Sequence, residues 1–126
     1  MNISDSMTRY YLDSVTVGWF NRHDLPPDDV ADYYDYVMDI QKSAQKHGDT
    51  EYLRVALEYL LSNPETDFER YDGGRYPYDS DDVREIIEYV LRTLWPDAAP
   101  IPAEELAKVK IVAVPLKDWW SSVRGT

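Results

Sequence analysis

Two pairs of carboxylates at i,i+3 spacing, Asp32 with Asp35 and Glu85 with Glu88, are the residues whose type and spacing come nearest to chemistry. All-α phosphohydrolases hold magnesium with such pairs from two helices, because a hard cation takes several oxygen ligands converging from one side. Here both pairs fall opposite the apolar positions of their own helices, so they are expected to face water. The other candidates are thinner. His23 sits beside Asp24 ahead of a Pro-Pro turn, and His47 sits beside Gly48 at a helix end, where an imidazole serves the helix dipole. "DSDDVREIIEYV" has acids at its first, third and fourth positions but lacks the central glycine and final glutamate of a calcium loop. Gly73-Gly74 is not followed by the Lys-Ser/Thr of a phosphate loop. With no cysteine, thiolate metal sites, a thiol nucleophile and disulfides are excluded together. The expectation is a protein that is not an enzyme and needs no metal or cofactor.

The elements that would carry these residues are mostly helices. Met7, Tyr11, Val15 and Trp19 recur every four residues in "SMTRYYLDSVTVGWFNR", one helical face interrupted by the β-branched Val15-Thr16-Val17 run. A second helix is expected from Pro26-Pro27 to the Lys46-His47-Gly48 terminus. Val30, Tyr33, Tyr34, Val37, Ile40 and Ala44 would lie on its core side, and Asp28, Asp32, Asp35 and Asp39 on the opposite side. Asp49 reads as the cap of a third helix, which Asn63-Pro64 stops and which pairs with the second as a hairpin. A fourth starts at Asp79 or Ser80 and runs to Trp95-Pro96 with Val83, Ile86, Ile87, Val90, Leu91 and Leu94 as its apolar stripe. Beyond it come a short helix over 103–108 and a short strand over 110–114, for which no ladder partner is evident, and Trp119 and Trp120 close the bundle. The expected fold is mainly α: one domain of four to five helices with at most one short C-terminal strand.

The formal charge of −11 is concentrated, since residues 24–97 alone carry −12. Such a field repels nucleic acid and anionic membranes and steers a basic partner inward. No segment approaches the length of apolar chain a membrane span needs, and no signal peptide is evident, so a cytoplasmic protein is expected. The densest stretch is "YDGGRYPYDSDD", where Asp79 or Ser80 and the acids at 81 and 82 suit a helix start. The tyrosines at 71, 76 and 78 fall outside any periodic stripe, although one or two could fold back over the bundle.

Tyrosine and arginine are favoured at recognition surfaces, because each gives a large contact with polar reach. The expected partner-binding residues are therefore Tyr71, Asp72, Arg75, Tyr76, Tyr78 and Asp79, joined by Asp28, Asp32, Asp35, Tyr36 and Asp39. In size, acidity, helical content, absence of cysteine and the stretches "DYYDYVMD" and "YDGGRYPYDSDD", the chain resembles bacterial immunity proteins of contact-dependent growth inhibition and related systems. That resemblance implies a non-enzymatic inhibitor of a cognate toxin, a nuclease with a basic cleft, and no direct contact with nucleic acid or membrane. It implies no fold. The competing readings are a helical adaptor without a nuclease partner, a broad nucleic-acid mimic and a metal phosphohydrolase.

Overall fold

In the computed structural model, which describes residues 1–124, six helices and two short strands surround one continuous apolar core. The protein is mainly α. Helix α1 (Asp5–Thr16) is started by Ser4, whose hydroxyl accepts from the Met7 amide at 3.1 Å. It stops at the β-branched run and Gly18, and Trp19–Asn21 follow as a 3-10 turn. Met7, Tyr11, Val15 and Trp19 are all buried, as their spacing predicts.

Helix α2 (Tyr34–His47) does not begin at the prolines. Asp29 instead caps a 3-10 turn over Val30–Tyr33, accepting from the Ala31 amide at 2.9 Å. Tyr33 is buried in line with Val37, Ile40 and Ala44 of α2, whereas Tyr34, expected in the core, lies about 100° further round the helix and is 51% exposed. Gly48, at φ +77°, closes α2 in the left-handed conformation, and one residue later α3 (Thr50–Ser62) buries Leu53, Ala56, Leu57 and Leu60. Helix α4 (Ser80–Leu94) opens with a reciprocal box: Asp79 accepts from the Asp82 amide at 2.9 Å and the Asp82 carboxylate from the Asp79 amide at 3.3 Å. Val83, Ile86, Ile87 and Val90 are buried on its inner side, with Leu91 and Leu94 packed at the margin.

The expected strand does have a partner. β1 (Asn2–Ser4) and β2 (Lys110–Val112) pair in parallel, with Ile3 opposite Ile111. Three residues leading into a helix carry no alternation long enough to read as a strand, yet Ile3 is fully buried and the Ser4 hydroxyl donates to the Val114 carbonyl at 2.6 Å. Between α4 and β2 in the chain lies α5 (Ala103–Leu106). After β2, the tryptophans sit on a sixth helix, α6 (Leu116–Val123), which the sequence reading did not resolve. Among the described residues no helix is long and apolar enough to cross a membrane.

Asp49 occupies the capping position of α3, but its side chain caps nothing. The carboxylate is fully buried and accepts from three side chains: Tyr11 at 2.5 Å, Trp119 Nε1 at 2.9 Å and Trp120 Nε1 at 2.8 Å. It binds α1 and α6 to the α2–α3 corner.

Candidate functional site: an acidic, aromatic face

The Tyr-rich loop is built largely to hold itself against the bundle. Tyr71 ends a 3-10 turn (Phe68–Tyr71), is buried, and donates to Asp5 at 2.7 Å beside the Arg70–Asp5 ion pair at 3.1 Å. Asp72 accepts from the Gly74 amide at 2.8 Å across the two left-handed glycines, Gly73 and Gly74. Arg75 is exposed, and its guanidinium donates to the Asn21 side chain and the Phe20 carbonyl, both at 3.2 Å. The Tyr76 ring stacks on Phe20 with centroids 5.1 Å apart. Tyr78 is buried with its hydroxyl 2.6 Å from that of Tyr33. The expectation that all three tyrosines and Arg75 stand out as contact residues is therefore corrected for Tyr71 and Tyr78, which are buried, while Arg75 remains exposed. Aromatic area in an irregular segment found its burial beside the start of α1, for Tyr71, and against Phe20 and Tyr33 of the two 3-10 turns that follow α1, for Tyr76 and Tyr78. Asp72 and Asp79 stay near the surface, each using an oxygen on a backbone amide.

These contacts leave a chemical signature. Burial first, and then the hydrogen bond to the neighbouring acid or phenol, pushes the phenols of Tyr11, Tyr33 and Tyr71 above their ordinary value of 10. Burial also raises Tyr78, against the opposing effect of its bond with Tyr33. Because the folded state favours the neutral phenol, this stabilisation is complete below pH 10 and is lost as pH rises beyond it. Absorbance titration at 295 nm should show these four phenols ionising only as the helical circular dichroism collapses; ionisation near pH 10 with the fold intact would contradict the burial.

The acids of 28–39 are divided by the 3-10 turn. Asp32, Asp35 and Asp39 line an open groove of about 880 Å³ together with Trp19, His23 and Tyr36. In that groove the His23 imidazole stacks on the buried Trp19 indole at 3.7 Å, and its Nδ1 lies 3.0 Å from the Trp19 carbonyl. Trp19 is itself fixed by donation from Nε1 to the Leu25 carbonyl at 2.7 Å, and the Tyr36 ring lies 5.7 Å from it. The result is an aromatic floor beneath three exposed carboxylates. None of the three forms an ion pair among the described residues, and Arg22 and His23 are the basic residues lining the groove.

Asp28, expected in line with them, lies elsewhere. It borders a smaller hollow of about 240 Å³ with Tyr33, Tyr76, Tyr78, Asp82 and Glu85. The second carboxylate pair, unlike Asp32 with Asp35, is split: Glu85 turns to this hollow, whereas Glu88 is held between Arg84 at 3.1 Å and Arg92 at 3.4 Å. Among the described residues, no three His, Asp or Glu side chains gather as a metal centre. Sequence reasoning overlooked the Trp19–His23 pair, for which the four-residue separation was the available signal.

Compared with protein-family models, curated proteins and solved structures, the chain matches none.

Proposed function

We propose that this chain is an immunity protein, an antitoxin-like inhibitor that binds and neutralises a cognate toxin, a nuclease with a basic cleft. The observation that supports this reading is the row Asp32, Asp35 and Asp39, exposed and unpaired among the described residues above the Trp19–His23–Tyr36 floor. Like charges gathered on one face repel one another in the free protein, and a basic cleft relieves that repulsion. A nuclease active site must hold phosphates, so it offers such a cleft. Carboxylates entering it would compete with substrate, and Tyr36 and Tyr76 would supply aromatic contact at the two margins. Asp28 extends the surface around the 3-10 turn, with Asp72 and Asp79 as peripheral acids. Under this reading the protein performs no catalysis.

Affinity capture from a nuclease-treated lysate of the source organism, washed at low and high salt, tests the reading. One basic, nuclease-like toxin should remain at high salt. Replacing Asp32, Asp35 and Asp39 together by asparagine should slow its association about 10- to 100-fold at low salt, with unchanged helical circular dichroism. A partner that is apolar or acidic, bound without salt dependence, would overturn the proposal in favour of a helical adaptor. Leu25 and Tyr34, 73% and 51% exposed beside the acidic face, are what an adaptor would use.

A further inference from the structure

The short sheet has an open side. Met1 donates its terminal amine to the Lys108 carbonyl at 2.8 Å, the Lys110 amide donates to the Met1 carbonyl at 2.9 Å, and the register places Ser4 opposite Val112. In a parallel ladder alternate residues bond to the same neighbour, so Lys110 and Val112 turn their peptide groups to β1. The amide and carbonyl of Ile111 point the other way, and neither takes a hydrogen bond among the described residues.

Two hollows run beside that edge and share Tyr59 and Asn63 in their walls. One, of about 420 Å³, has an apolar wall of Ile101, Leu106 and Val109. The other, of about 360 Å³, lies along Ile111 and Ala113 and is bordered by Asp5, Glu65, Asp67 and Arg70. Asp5 is already neutralised by Arg9 and Arg70, whereas Glu65 and Asp67 have no ion pair among the described residues. Backbone groups, an apolar hollow and two free carboxylates thus succeed one another along a single groove.

We infer that the outer edge of β2 takes an extended segment of a partner protein by strand addition, its backbone on Ile111, an apolar side chain toward Ile101 and Leu106, and a basic one toward Glu65 and Asp67. Strand addition draws affinity from main-chain bonds and specificity from pockets for alternate side chains. A three-residue edge offers few such bonds, so the two hollows must select the sequence. The inference is independent of the proposed inhibitor function, because no residue of this groove lines the acidic one.

The test uses a blocked octapeptide repeating Val-Thr-Lys-Thr, which sets valine and lysine in turn on one face of a strand, its counterpart with glutamate for lysine, and the lysine peptide N-methylated at alternate residues. Hydrogen exchange at the Ile111 amide is followed by NMR. At about ten times its Kd, the lysine peptide should slow that exchange about tenfold, and the N-methylated and glutamate peptides should not. Ile111→Pro removes the outward amide without touching the ladder, a substitution edge strands tolerate, and should abolish binding with the helical signal intact. No slowing at Ile111, equal slowing by the glutamate peptide, or protection that grows with protein concentration alone would each overturn the inference; the last would mean that a second copy occupies the edge.

Discussion

Asp49→Ala is expected to destabilise the fold by about 3–5 kcal/mol, because it leaves three inward-facing donors without an acceptor. Tyr11 and Trp119 are buried and Trp120 is half-buried, so water can replace the carboxylate at one of the three donors at most. Asp49→Asn separates charge from shape. Its amide oxygen still accepts, but its NH₂ group faces indole N–H groups that also donate, so an intermediate loss of about 2 kcal/mol is expected. Urea denaturation gives the magnitude, and the indole resonances of Trp119 and Trp120 show whether both bonds have gone. A loss below about 1 kcal/mol for the alanine variant would mean that the three donors do not depend on this acceptor.

The second large effect lies under the Tyr-rich loop. Gly73→Ala is expected to cost about 2–4 kcal/mol, and Gly74→Ala about 1 kcal/mol, although the two glycines are adjacent and have nearly the same backbone conformation. Both lie at positive φ, +78° and +71°, so any side chain at either position is strained. A Cβ at Gly74 meets nothing within 4 Å, whereas one at Gly73 falls 2.6 Å from Thr16 Oγ1 and 2.7 Å from Val17 Cγ2. Thr16 cannot easily yield, since it is buried and its hydroxyl donates to the Leu12 carbonyl at 3.1 Å. Equal losses from the two substitutions in thermal melts would show that the loop does not sit on the end of α1.

These sites mark where the sequence was legible. The apolar stripe of α4, the Gly48 terminus of α2 and the stop at Asn63 could be read because periodicity and local backbone chemistry decide them. Local information failed where distant residues decide. Asp49 carries the signature of a cap, and only Tyr11 and the two tryptophans, which meet it in space, draw its side chain inward. The β1–β2 pair joins segments more than a hundred residues apart; 110–114 reads as a strand, but nothing in Asn2–Ser4 marks it as the partner. The late start of α2 is intermediate. Pro26-Pro27 signalled a helix start, but nothing nearby indicated that a 3-10 turn would come first and would leave Asp28 outside the helix, at a different concavity from Asp32. The loop tyrosines were recognised as unusual, but their composition fits burial and recognition equally well, and only the docking of the loop separates the two.

The distance between Asn2 and Lys110 also has a consequence in time. At about 5–20 residues per second, a ribosome adds Lys110 roughly 5–20 s after Asn2, and Trp119 follows soon after. Throughout that interval Ile3 lacks its partner strand, and the Asp49 carboxylate has neither indole to meet. The helices between can form and pair early, but the sheet and the hydrogen bonds on Asp49 are completed together, by the closure of a loop spanning most of the chain. Folding is thus timed by the arrival of the segment that carries β2 and α6, and until then the nascent chain exposes an unfinished core to the cell's chaperones.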